Sequence, residues 1–418
     1  MKKLTRKQRF RVIDTIRGMS LFYMVLCHLC QFALVPEDRW LWASLYIFVD
    51  TIGVPAFLFT SGFALSISVS RKFTKGYQEG IPHDIIYKKS RNDTIFRGLF
   101  LFLIGIIYNF GFAIIQGDLS MTWSWMILQL IGIAQILTFY TRKMKNTSRI
   151  ILMFVVVIIS EPLAFVLNNN PDPVLGQIGF ILFNPVHMNP PLPFLFYSFL
   201  GAFIGDIMMR NRRDFVKNKG TEFRRTMIIY GSIFLFLGLA LGYQLTTDSW
   251  VFRIIVREFD FEGLPLFLLR GSIPNIFYNS GLLLYLTIVI NKVFLLKRPT
   301  SEAREYFSML GKASLSLYLY HHLAFFLIER NWDIRTIWLA ALLFIGSISI
   351  IFLVWYKKAK YKYGIEWAIE EVRRLFYSRF FTYEREIAKR QSTGVEIASS
   401  DEVDLISSDS EKDIYSEN

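Results

Sequence analysis

Residues 94–115 read TIFRGLFLFLIGIIYNFGFAII, a run of 22 residues whose one charge, Arg97, stands near its start. At 1.5 Å of rise per residue, roughly 20 apolar residues cross the hydrocarbon of a bilayer as a single helix. Working outward in both directions, comparable runs lie near 17–36, 41–69, 122–140, 150–167, 191–209, 226–246, 274–292, 313–329 and 336–356. Charges gather between these runs, a pattern no ordinary globular core produces. The expected fold is all-α, a polytopic membrane helix bundle of about ten transmembrane helices. A hydrophobic fraction of 53%, an aromatic fraction of 17% and a mean hydropathy of +0.36 suit lipid-facing and interfacial surface.

The net charge of +13 would fit nucleic acid only if the basic residues formed a continuous face. They form short clusters instead. The start holds Lys2, Lys3, Arg6, Lys7, Arg9 and Arg11, and the even-numbered loops carry Arg71/Lys72/Lys75/Lys88/Lys89, Arg142/Lys143/Lys145, Arg210/Arg212/Arg213 and Lys297/Arg298/Arg304. The odd-numbered loops are poor in Lys. That alternation places both termini in the cytoplasm and excludes a nucleic-acid partner. The basic start leads into a run too long for a cleavable signal, and two cysteines, Cys27 and Cys30, offer no disulfide framework.

Three regions follow. Residues 1–356 form the transmembrane domain. Residues 357–391 open with a basic cluster and continue as an amphipathic helix expected to lie on the anionic cytoplasmic leaflet. The tail 392–418 is Ser- and acid-rich and is expected to be disordered. Two odd-side loops are long: Asn168–Pro191, with Asn184, His187 and Asn189, and Thr246–Pro274, with Arg253, Arg257 and Arg270. Solvation and helix capping compete there with binding of a sugar or polyanion.

Ionisable groups inside a span are costly, so each needs a reason. Arg17 and His28 are eleven residues apart, close to three helical turns and roughly 16 Å, and share a face. Arg17 then sits at the cytoplasmic edge, where its planar fork could hold phosphate oxygens, with Asp14 one turn earlier to steady it. Arg97 could add a second phosphate contact. His28 near the midplane could take a proton from an attacking hydroxyl or amine, or accept an acyl group itself. Snorkelling by Arg17 and packing by His28 are the plainer alternatives. Asp50 lies level with His28 and could orient or charge-balance it. Glu161, before Pro162, could kink and pack its helix or act in catalysis. Of the adjacent His321 and His322 one faces inward, His321 being preferred narrowly. Gln129 and Asn109 could donate to a developing oxyanion or serve as ordinary interhelical partners. Cys27-His28-Leu29-Cys30 has the wrong order for haem attachment and too few companions for zinc, so no metal is expected.

These stretches resemble membrane-bound sugar acyltransferases of the transmembrane acyltransferase superfamily. RVIDTIRGMSLFYMVLCHL (11–29) is similar to the opening of acyltransferase-three enzymes, which also separate an Arg and a His by ten residues. FVDTIGVPAFLFTSG (48–62), ILQLIGIA (127–134), PLPFLFYSFLGAFIG (191–205) and LGKASLSLYLYHH (310–322) resemble, in the same order, the heparan-alpha-glucosaminide N-acetyltransferase-like branch. The resemblance implies transfer of an acetyl group from cytosolic acetyl-CoA to a sugar on the other side of the membrane. It implies His28 at the reacting centre and Arg17 near the CoA phosphates. Those enzymes carry a histidine in the loop after the first span. Here that loop, Pro36–Trp40, has none, which leaves the acceptor and the choice between O- and N-transfer open.

The expected function is thus an acyl-CoA-dependent membrane acyltransferase, with catalytic candidates His28, Asp50 and His321. Arg17, Arg97 and Asp14 are the donor-binding candidates, and Gln129, Asn109 and His187 the acceptor candidates. Its partners are the lipid bilayer (most readily the plasma membrane), acyl-CoA and a glycan or glycolipid, and the sequence allows a homodimer. The competing class is a proton-coupled transporter or flippase, although no internal repeat is visible. A non-catalytic membrane scaffold is the third reading.

Overall fold

A computed structural model describes residues 11–168, 170, 172–183, 189–210, 220–244, 264–292, 302–325 and 332–380. Among the described residues every regular element is helical: α1 Arg11–Ala33, α2 Trp40–Val49, α3 Val54–Gln78, α4 His83–Gln116, α5 Ile127–Thr141, α6 Asn146–Asn168 and α7 Pro173–Phe183. Next come α8 Pro191–Arg210, α9 Thr221–Gly242, α10 Ile273–Ile290, α11 Glu302–Lys312, α12 Ser314–Phe325, α13 Ile337–Ala359 and α14 Ile365–Phe380. Nine candidate spans among them are long and apolar enough to cross a membrane. The fold is all-α and polytopic. On α4, Leu99, Leu103, Ile107, Phe110 and Ile114 recur at helical spacing and are all exposed, the surface a lipid-facing helix presents.

Three features bear on the expected runs. The second run is not one helix: α2 ends at Val49, a short 3-10 turn holds Asp50–Ile52, and α3 begins at Val54. Pro55 accounts for the break, because it lacks an N–H and its ring collides with the carbonyl four residues earlier. Second, the ninth run supplies α12, 12 residues long, and its continuation past Phe325 lies outside the described residues. Third, the loop Asn168–Pro191 contains a short apolar helix, α7.

The chain divides into two compact units. One comprises Ser61–Val156, Ser198–Phe223 and Ala368–Asn418. Its interior carries buried Asp206, which accepts from Arg142 at 2.9 Å, from Arg149 at 2.7 Å and from the Ser66 hydroxyl. The other comprises Met1–Thr60, Val157–Tyr197 and Arg224–Trp367. Its spine is α1, which runs against α11 with the backbones almost touching. A Cβ on Gly18 would lie 1.9 Å from the Phe307 carbonyl oxygen, and one on Gly311 would lie 1.8 Å from that of Asp14. Only glycine allows this approach.

The far end of α1 is clamped separately. Trp332 N–H donates to the Ala33 carbonyl at 3.1 Å, and Val35 N–H donates to the Trp332 carbonyl at 3.0 Å. Asp38 accepts from Ile334 N–H at 2.7 Å. We expect Gly311→Ala to lower thermal stability in detergent by about 1–3 kcal/mol, the usual range for overpacking. Gly346→Ala, where an added Cβ meets nothing within 4 Å, serves as the neutral control. Equal melting temperatures for the two variants would refute the tight α1–α11 contact.

Candidate active site

Because α11 leads through Ala313 straight into α12, its grip on α1 also fixes where α12 runs. Two turns into α12, His321 faces α1 and is 1% exposed. Its Nε2 lies 3.0 Å from Nδ1 of the half-buried His28, with the two ring planes within 5° of parallel. His321 Nδ1 lies 3.0 Å from the carbonyl oxygen of Leu317 in its own helix.

These two contacts decide the tautomers. A carbonyl only accepts, so His321 Nδ1 carries the hydrogen and donates it. In neutral His321 the Nε2 is then an acceptor, so His28 Nδ1–H donates to it. That leaves the lone pair of neutral His28 on Nε2. The chain Leu317 carbonyl, His321, His28 thus holds the His28 imidazole by Nδ1, the kind of second-partner contact that sets which ring nitrogen is basic.

Asp50 has a different partner from the one expected. The expectation is that it orients or charge-balances His28; its Oδ1 accepts from Arg270 Nη1 at 2.6 Å, and the ring nitrogen that meets His28 is that of His321. Arg270 is itself buried, donates to Asn189 Oδ1 at 2.6 Å, and is flanked by the rings of Tyr46 at 4.7 Å and Phe194 at 5.3 Å. Burial works against its charge. Asp50 and the nearby tyrosines more than offset that, holding the guanidinium above its ordinary pKa.

The segment carrying Arg270 is pinned on all sides. Gly271 turns the chain at φ 83°. Ser272 caps α10, accepting from Asn275 N–H at 3.2 Å, and Glu161 accepts from Ile273 N–H at 2.9 Å. A polar ladder continues from Thr51, which donates to Asn279 at 2.5 Å, to Asn275 at 3.1 Å and on to the Phe267 carbonyl at 2.9 Å. Sequence reasoning missed the Asp50–Arg270 pairing, although an arginine on the side where basic residues are disfavoured was its visible trace.

Arg17 turns into the same unit. It donates to the Thr60 carbonyl at 3.1 Å and to the Thr60 hydroxyl at 3.4 Å, while Asp14, one turn before it, is buried. Asn109 and Gln129 belong to the other unit. Both amide groups donate to the carbonyl of Ser124, in the connection between α4 and α5, at 2.5 and 3.3 Å. Arg97 is exposed on α4. His187, Asn184, Arg253, Arg257, the side chain of His322 and the tail 392–418 lie outside the described residues.

Residues 9–260, more than half of the 418-residue chain, match the family described as heparan-alpha-glucosaminide N-acetyltransferase, catalytic. The chain belongs to this family. Membership in the heparan-alpha-glucosaminide N-acetyltransferase family, with its apolar helices, makes it a multi-pass membrane protein of an acetyltransferase class. No curated protein matches the chain. Arg17, His28 and Asp50 fall within the matched stretch, whereas Arg270 and His321 come after it in sequence and meet that stretch in space.

Proposed function

We propose that this protein transfers an acetyl group from acetyl-CoA to a sugar or glycolipid acceptor, with His28 at the reacting centre and His321 as its orienting partner. The observation that carries the reading is the 3.0 Å contact between the two imidazoles, which holds His28 by Nδ1 and makes Nε2 the basic nitrogen of its ring. From that atom His28 can take the proton of an attacking hydroxyl or amine. The Nε2 lone pair can instead attack the acyl carbon first, breaking the thioester C–S bond and releasing the CoA thiolate; the acceptor hydroxyl or amine then attacks the acyl-imidazole, takes the acyl group and returns the imidazole.

Arg17 is the donor-side residue in this reading. It shares a face of α1 with His28 and stands roughly 16 Å from it along the axis, so a phosphate-bearing donor held there extends its acyl end toward the imidazole. Asp50, paired with Arg270, orders the polar lining in this reading. With the basic loops in the cytosol, the donor enters from that side and the acceptor from the opposite face.

The test uses purified full-length protein with radiolabelled acetyl-CoA and a panel of amino sugars and oligosaccharides. Label recovered on a sugar, together with thermal stabilisation by CoA, is the expected result. Absence of both, with flux driven by a pH gradient in proteoliposomes, would replace the enzyme by a transporter.

A further inference from the structure

The connection between α13 and α14 is tight and conformationally costly. Lys360, Tyr361 and Tyr363 all adopt left-handed backbone, at φ 47°, 62° and 68°, without being glycine. Such residues persist only where their surroundings over-determine them. The turn is held by the Tyr361 hydroxyl donating to the Met309 carbonyl at 3.0 Å and by Trp355 Nε1 donating to the Lys362 carbonyl at 2.8 Å.

Its product is an unusual joint. The N-terminus of α14 is brought against the N-terminus of α12, the helix that carries His321. Glu366 Oε1 accepts from Leu315 N–H at 2.8 Å and from Ser316 N–H at 3.4 Å, and its other oxygen accepts from the Ser316 hydroxyl. In return, Ser316 Oγ accepts from Ile365 N–H at 2.8 Å. Each helix caps the other. Gly364 is what lets them meet, because a Cβ there would lie 2.6 Å from Ser316 Oγ. Two helix N-termini, both carrying partial positive charge, would repel each other; a carboxylate between them removes that cost and satisfies orphan N–H groups of α12.

We propose that Glu366 is a positioning residue for His321. It fixes the start of α12, and through that helix the Leu317 carbonyl and the His321 ring that orient His28. The proposal rests on the roles given to His28 and His321 above, so its test includes a measurement independent of them. Hydrogen–deuterium exchange of the full-length protein in detergent reads the order of residues 315–321 directly.

In Glu366→Ala, exchange in that stretch should rise about tenfold, and kcat for acetyl transfer should fall about tenfold, as expected for a lost cap. KM for acetyl-CoA should stay within about twofold, because the interaction acts on the chemical step and not on donor binding. Glu366→Gln retains a carbonyl oxygen for the two N–H groups and should recover most of both losses. Adding Ser316→Ala to Glu366→Ala should cost little more, since the two side chains act as one unit.

Parent-like exchange and kcat in Glu366→Ala would overturn the proposal. So would exchange that rises across the whole chain with no recovery by glutamine, which marks a merely structural residue. A parent protein with no acetyl transfer would defeat the functional reading; unchanged local exchange in Glu366→Ala would then defeat this one separately.

Discussion

Replacing His28 with alanine is expected to lower acetyl transfer about a thousandfold, the middle to upper range for losing a positioned proton-transfer group. The loss should fall on kcat, with the melting temperature close to the parent value, because His28 is only half-buried and its removal exposes no unpaired charge. His321→Ala should cost less, about a hundredfold, since the base itself remains and only its tautomer and orientation are released. The double variant should be no slower than His28→Ala, because residues that act as a unit are non-additive. Labelled acetyl transfer by the three purified proteins measures all of this. Parent-rate turnover by His28→Ala would remove the proposed reacting centre, and strictly multiplicative losses would separate the two histidines into independent roles.

The second large effect is on stability. Asp50 and Arg270 are both buried and joined at 2.6 Å. Removing one partner strands the other's charge in the interior, which costs about 3–5 kcal/mol in comparable cases. Arg270→Met should therefore lower the melting temperature sharply and reduce the yield of folded protein. Asp50→Asn should do so to a smaller extent, because asparagine still offers an oxygen to the guanidinium. Combining Asp50→Asn with Arg270→Met removes both charges and should recover much of the Arg270→Met loss. Thermal unfolding in detergent decides it: a double variant no better than Arg270→Met alone would mean that the arginine matters through packing against Tyr46 and Phe194 and not through its charge.

What could be read from residues alone differs between the two halves of each interaction. His28 and Arg17 announce themselves because a cation or an imidazole in an apolar helix must have a reason to be there, and a helix of known pitch places them on one face. Asp50 is equally visible as a buried carboxylate. Its partner is not, since Arg270 is 220 positions away, in a segment whose turn is set by Gly271 and the Ser272 cap. The break at Asp50–Ile52 was legible in principle from Gly53-Val54-Pro55, yet the apolar run on either side reads as one continuous span.

Local chemistry thus determined that this chain is a multi-span α-helical membrane protein, because hydrocarbon demands long apolar helices whatever they pack against. It also marked His28 and Arg17 as residues worth their desolvation. Which imidazole meets which, how the tautomers fall, and that Glu366 caps the helix of His321 depend on contacts between segments 49 to 293 residues apart. Those contacts arise from close glycine-mediated helix packing and long-range capping, neither of which leaves a periodic trace in the amino-acid order.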